Sequence, residues 1–194
     1  MRIFIFSLFI LLLSAPAQAA AVKNTWTVLH EKSSITFKGK QMGAVFEGSF
    51  DRFSTQILFD PDNLPESRVK ASVDISSVDT KASDRDENIR GKEWFDVVQF
   101  PYALFETKSI RKTGTNAYEA DGALTIKGIT VPLKLPFKLV IEKRASDGRT
   151  TALMDADITL DRATFRLGAG NWADTSVIAN EVPVHIHLAA LRNE

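Results

Sequence analysis

No cysteine occurs among the 194 residues. That excludes disulfides, thiolate metal ligands, a thiol nucleophile and a lipid anchor on a cysteine. Small proteins secreted into the extracellular medium often carry disulfides, so their absence fits the bacterial periplasm better. Charge of one sign is also missing: 24 Lys and Arg balance 24 Asp and Glu. Nucleic-acid binders usually leave a basic footprint, and this balanced chain shows neither that nor a polybasic membrane patch. Histidine is scarce, with His30, His185 and His187 only. Long apolar runs are confined to the N-terminus.

That N-terminal run reads as an export signal. Arg2 supplies the positive region, Ile3 to Leu13 is apolar apart from Ser7, and Ala17-Gln18-Ala19 is an A-x-A cleavage site. The run is shorter than the roughly 20 residues a membrane-spanning helix needs. The expected organisation is therefore a signal peptide over 1–19 and one domain over 20–194, exported to the periplasm and without a membrane segment after cleavage. A chain of that length can build one sizeable core.

What the chain has in abundance is alternation. Val131, Leu133, Leu135, Phe137, Leu139 and Ile141 are apolar, and Pro132, Lys134, Pro136, Lys138 and Val140 lie between them. Side chains of a strand point to opposite faces with period two, so this segment has one apolar and one mostly wet face. The pattern recurs at Val69–Ile75, Tyr118–Ile126, Met154–Leu160 and Val182–Leu188, and more weakly at Ile35–Phe37, Trp26–Leu29, Val45–Phe53 and Tyr102–Ile110. Eight or nine strands result, joined by turns such as Lys127-Gly128, Asp147-Gly148 and Thr113-Gly114. Strands do not alternate with helices, which disfavours a parallel α/β sheet. Pro132 and Pro136 share one parity, so both lack an N–H on the same strand edge; that edge is expected to be a partly unpaired seam.

One segment breaks the pattern. Residues 83–91, Ser-Asp-Arg-Asp-Glu-Asn-Ile-Arg-Gly, read as a short helix capped by Ser83 or Asp84, with acids in its first turn, Arg90 in its last and Gly91 at its end. Trp94, Phe95, Val97, Val98 and Phe100 follow, as expected of a crossing connection pinned down by aromatics.

Candidate chemistry is weak throughout. His185 and His187 share one strand face and would need a third ligand to hold a metal; the simpler reading places both on the solvent face. The run from Asp155 lacks the fifth-position Asp or Asn and the sixth-position glycine of a calcium loop, whose places hold Thr159 and Leu160, so Asp155, Asp157 and Asp161 read as the wet face of a strand. Residues 168–173 match G-x-G-x-x-A in letters, but a dinucleotide site needs that turn inside a βαβ unit. No G-x-S-x-G elbow is present. Ten of thirteen Phe lie beyond the signal, with three Trp and two Tyr. An eight-stranded barrel has room either for packed side chains or for one small ligand, and alternation alone leaves the two open.

Several blocks, in order and spacing, resemble the YceI-like family. They are Trp26 to Phe37, Asp84 to Arg90, Trp94 to Val97, Phe100-Pro101, Phe105-Glu106, Gly122 to Pro132 and Arg162 to Gly168. The resemblance implies an exported all-β protein, an eight-stranded antiparallel lipocalin-like barrel with one short helical connection. It also implies an apolar tunnel holding an isoprenoid, fatty-acyl or similar long-chain amphipathic lipid, with isoprenoid quinones among the ligands and no cofactor beyond the bound lipid. Phe37, Phe46, Phe50, Val73, Phe105, Leu124, Leu135, Phe137, Ile158 and Phe165 would line that tunnel, and Trp94, Phe95 and Phe100 would close or buttress one end. The odd positions of Val131–Ile141 become tunnel wall. A homodimer and a membrane cytochrome b561-type partner are expectations of the same origin. The chain departs from the family's late motif at Thr164-Phe165-Arg166-Leu167-Gly168, which changes charge and backbone freedom at that rim. No catalytic residues carry over, so binding leads. The competing readings are an exported enzyme acting on a lipid in the same cavity, and a filled barrel that docks a membrane redox partner.

Overall fold

The computed structural model describes residues 24–193; the signal-peptide segment lies outside them. The strands are β1 (Thr25–Val28), β2 (Ser34–Gln41), β3 (Ala44–Phe50), β4 (Phe53–Leu58), β5 (Arg68–Asp74), β6 (Val78–Asp79), β7 (Tyr102–Gly114), β8 (Ala117–Ile126), β9 (Ile129–Lys143), β10 (Thr150–Asp161) and β11 (Glu181–Arg192); α1 spans Ser83–Arg90. The first six are halves of three bent strands. A one-turn 3-10 helix at His30–Lys32 separates β1 from β2, residues 51–52 separate β3 from β4, and a second 3-10 turn at Ile75–Ser77 separates β5 from β6.

Joined in this way, eight long strands form an antiparallel meander in which each pairs with the next. β11 closes the ring. It pairs with β10 along its whole length and, on its other edge, with β2 through Val184–His187 and with β1 through Ala190–Arg192. Closure pairs the outer strands of the sheet and leaves an unpaired edge where β9 departs from β10.

Turn chemistry fixes the registers. Met42-Gly43 and Lys127-Gly128 all have positive φ (49°, 85°, 50° and 73°), the geometry of a two-residue type I′ hairpin. The turn assigned to Thr113-Gly114 lies one step later: Gly114 still pairs with Ala117, and Asn116 takes the positive φ of 54°. A bulge between Thr107 and Ser109 reverses the parity of β7, so Thr107 and Ile110 are both buried. Direct cross-strand ion pairs line the outer face, as in Lys38–Glu47 (3.1 Å), Lys70–Glu106 (2.8 Å) and Arg111–Glu119 (2.7 Å).

The proline seam is present. β9 pairs with β8 from Ile129 to Lys138, but with β10 only from Lys138 to Lys143. Ile126 and Ile129 close the turn as a hydrogen-bonded pair. Alternation along an antiparallel ladder then turns the nitrogens of Pro132 and Pro136 away from β8, into the unpaired stretch.

The helix forms where expected but is capped differently. Ala82 is its N-cap, and neither Ser83 nor Asp84 caps it. Instead the buried Asp86 carboxylate accepts from the Thr80 N–H (2.9 Å) and hydroxyl (2.6 Å). Asp86 and Ile89 are the helix's buried residues, and Ile89 faces the barrel interior.

Candidate functional site

The interior of the barrel divides into a hollow half and a filled half. The hollow half, beneath α1, encloses a cavity of about 530 Å³, within the usual range for small-molecule sites. Of the expected lining residues, Phe37, Phe46, Phe50, Val73, Phe105, Leu124, Leu135, Ile158 and Phe165 border it, as do Trp94 and Phe95, two of the three aromatics expected to close or buttress one end. Phe137 and the third aromatic, Phe100, do not. Phe137 borders a smaller cavity in the opposite half, about 90 Å³ in volume, because it stacks on Tyr118 at 5.5 Å. Phe100 borders neither and packs over Gly128 at the β8–β9 turn. Of the odd positions of β9, Leu133 and Leu135 border the large cavity. Leu135, Phe137 and Leu139 border the small one, while Val131 and Ile141 are packed into the two apolar clusters.

Two glycines keep the hollow half open. Phe37 pairs with Gly48 and Gly39 with Phe46 across the β2–β3 hairpin. Each ring lies flat on the glycine opposite: a Cβ on Gly39 would sit 2.2 Å from Phe46, and one on Gly48 2.4 Å from Phe37. The aromatics therefore lie along the wall, where any larger partner would tip them into the lumen. The hairpin spacing carried this signal. Once Met42-Gly43 is placed as a two-residue turn, Phe-x-Gly on one strand faces Phe-x-Gly on the other.

Polar groups gather at the α1 end. Gln41, Asp84, Arg85 and Asn88 border the cavity there. Arg85 stacks on Phe46 at 4.0 Å and donates to the Thr80 hydroxyl and carbonyl, both at 2.9 Å. Asn88 donates to the Asp84 carbonyl at 2.7 Å. Asp84, Arg85 and Asn88 stood in the sequence as helix residues. Their place at the mouth follows from the connection folding over the barrel, which periodicity does not report.

The β10–β11 connection closes the same end around Arg162. This side chain is 3% exposed and forms no ion pair among the described residues; it donates to the carbonyls of Ala179, Leu167, Gly168, Trp172 and Ile178 at 2.6–3.3 Å. Burial lowers the guanidinium pKa from its ordinary value. Its charge also lies 5.4 Å from the Trp94 ring, which meets Trp172 edge-on. The Gly168–Ala173 run belongs to this closure. Gly168 and Ala169 donate their N–H groups to Glu93 O at 2.9 Å, so those amides are not free to cradle phosphate. In the variant late motif, Phe165 is buried against the cavity while Arg166 takes a left-handed φ of 53°.

The histidines lie outside the barrel. His185 pairs with Asp157 (2.8 Å) and His187 with Asp155 (2.6 Å). Among the described residues no three His, Cys, Asp or Glu side chains are placed to hold a metal ion. Asp161 ends β10, accepting from the Thr164 N–H (3.0 Å) and Asn180 Nδ2 (2.6 Å); these bonds, the Thr164 amide first, hold its pKa below the ordinary value.

A family model described as the YceI-like domain matches residues 26–190. The chain belongs to the YceI-like family. Among relatives of this YceI-like protein, the UPF0312 protein of Pectobacterium carotovorum is 27% identical over 94% of this chain and 93% of its own. Yersinia pestis has a UPF0312 protein 37% identical over 54% of this chain, and the matched part spans only 55% of that relative. Among solved structures, BcnA of Burkholderia cenocepacia superposes with a TM-score of 0.76 at 32% identity, covering 84% of this chain and 99% of BcnA. A polyisoprenoid binding domain from Saccharophagus degradans shares the fold, with a TM-score of 0.67 at 16% identity over 87% and 98% of the two chains.

Proposed function

We propose that this YceI-like protein is a periplasmic binding and carrier protein that encloses a polyisoprenoid or similar long-chain amphipathic lipid, an isoprenoid quinone being one such ligand. The observation that carries the reading is the cavity of about 530 Å³ with apolar walls and a polar mouth. Such a space suits a molecule with an apolar tail and a polar head. Burial of the tail supplies the drive, at roughly 25 cal/mol per Å² of apolar surface before the costs of binding. The solved polyisoprenoid binding domain of the same fold supports this ligand class. Membership in the family points to binding rather than catalysis. The charged groups at the cavity fit that role: Arg162 is spent on backbone carbonyls and Arg85 on Thr80. Asp84, Asn88 and Gln41 are left to orient a head group at the mouth.

Native mass spectrometry of protein purified from its host, followed by organic extraction, tests the proposal. A stoichiometric long-chain lipid is the expected result. A clean apo mass that takes up no added prenol, quinone or fatty-acyl lipid would refute it. Leu124→Glu places a carboxylate on the cavity wall and is expected to abolish loading; unchanged lipid content in the folded variant would remove Leu124 from the site.

A further inference from the structure

Resting on the lipid-binding reading, we propose that the small cavity of about 90 Å³ is the terminal subsite for the lipid's apolar tail, and that the packed aromatic floor beneath it sets the longest chain accepted. The two cavities share Val69, Phe105, Leu135, Met154 and Leu188 as lining residues. The two cavities are therefore neighbours along the barrel, bordered in common by these wall residues. Met154 and Phe105 are partly buried, with the cavities at their sides, so this waist can yield by rotamer change.

The chemistry of the small cavity is that of a tail end. Thr107 is its one hydroxyl-bearing neighbour, and that oxygen already accepts from the Val69 N–H at 2.8 Å. No other side chain around it offers a free polar atom to a water or a head group, and such apolar voids stay dry until an apolar group enters. The mouth, with Asp84, Arg85 and Asn88, is the opposite. A ligand is thereby oriented, head under α1 and tail at the floor. The floor itself is closed: Phe59 meets Tyr118 edge-on at 5.7 Å, Tyr118 stacks on Phe137, and Trp26 Nε1 donates to Phe59 O at 2.9 Å. A chain that reaches it can go no further.

Ala152 and Ala190 face each other across β10 and β11 and both border the small cavity. Ala152→Leu and Ala190→Leu therefore fill the subsite without touching the mouth or the large cavity. The experiment is competitive loading of a graded series of prenols and n-alkyl alcohols, read by native mass spectrometry on wild type, each single variant and the double. In wild type, affinity rises about fourfold per buried methylene until the tail meets the floor, then stops rising. In the filled variants the plateau comes at least one isoprene unit earlier, with the shortest ligands bound within twofold of wild type. Phe137→Ala shifts the plateau the other way. A wild type that loads but shares its plateau with all folded variants overturns the chain-length proposal alone. A wild type that loads no chain of any length overturns the binding reading and this proposal with it.

Discussion

The two halves of the barrel are made from the same alternating strands and end differently. Near α1, Phe37 and Phe46 lie on glycines and leave a lumen. At the other end Tyr118 meets Phe59 and Phe137, ring against ring, and the lumen narrows to the small cavity of about 90 Å³. Aromatic content therefore does not decide whether a barrel is hollow. The partner across the strand does: a ring facing glycine lies on the wall, and a ring facing a ring occupies the centre.

The contrast can be broken most severely at the closure of the hollow half. Arg162→Leu leaves five carbonyls without their buried donor, and the expected loss is about 4 kcal/mol or more, read as the urea midpoint at unchanged slope. Next comes a paired comparison of rings. Phe137→Ala, against the small cavity and stacked on Tyr118, is expected to cost about 3 kcal/mol, whereas Phe37→Ala, against the large cavity, should cost about 1–2. Equal losses would mean that the two halves are packed alike. Gly48→Val is similar in stability cost to Phe37→Ala, about 1–3 kcal/mol, but larger in effect on the lumen. It tips the Phe37 ring inward and should lower the lipid retained per protein molecule, measured by extraction. The smallest effect is at Asp161. Because its folded pKa is depressed, its contribution to stability is present above the unfolded pKa of about 4 and is lost as pH falls through the folded value. Asp161→Asn should therefore narrow its stability gap to wild type between pH 5 and pH 2, followed by thermal unfolding, since protonation removes from wild type what the variant already lacks.

Much of the wall was legible before the fold was. Period two identified the inward residues of β8 to β11, and the shared parity of Pro132 and Pro136 located the seam. The helix was legible in place but not in its cap, because the Thr80–Asp86 contact depends on how the connection folds back. Phe137 was legible as an inward residue but not as a neighbour of the smaller cavity: alternation tells inside from outside but not height along the barrel or what stands opposite. Arg162 stood in a family-like block but carried no signal of its burial. Nothing in an isolated arginine marks it for burial, and its partners are backbone carbonyls, which every sequence contains.

The seam between β9 and β10 bears on the protein's behaviour in a crowd. An unpaired strand edge is a template on which a second chain can add a strand, the first step toward aggregation. From Ile129 to Phe137 β9 presents such an edge. Two of its nitrogens belong to proline and can donate nothing, while Lys134 and Lys138 set positive charges beside them. A barrel that leaves this stretch of wall unzipped thus remains a poor surface for another copy to zip onto.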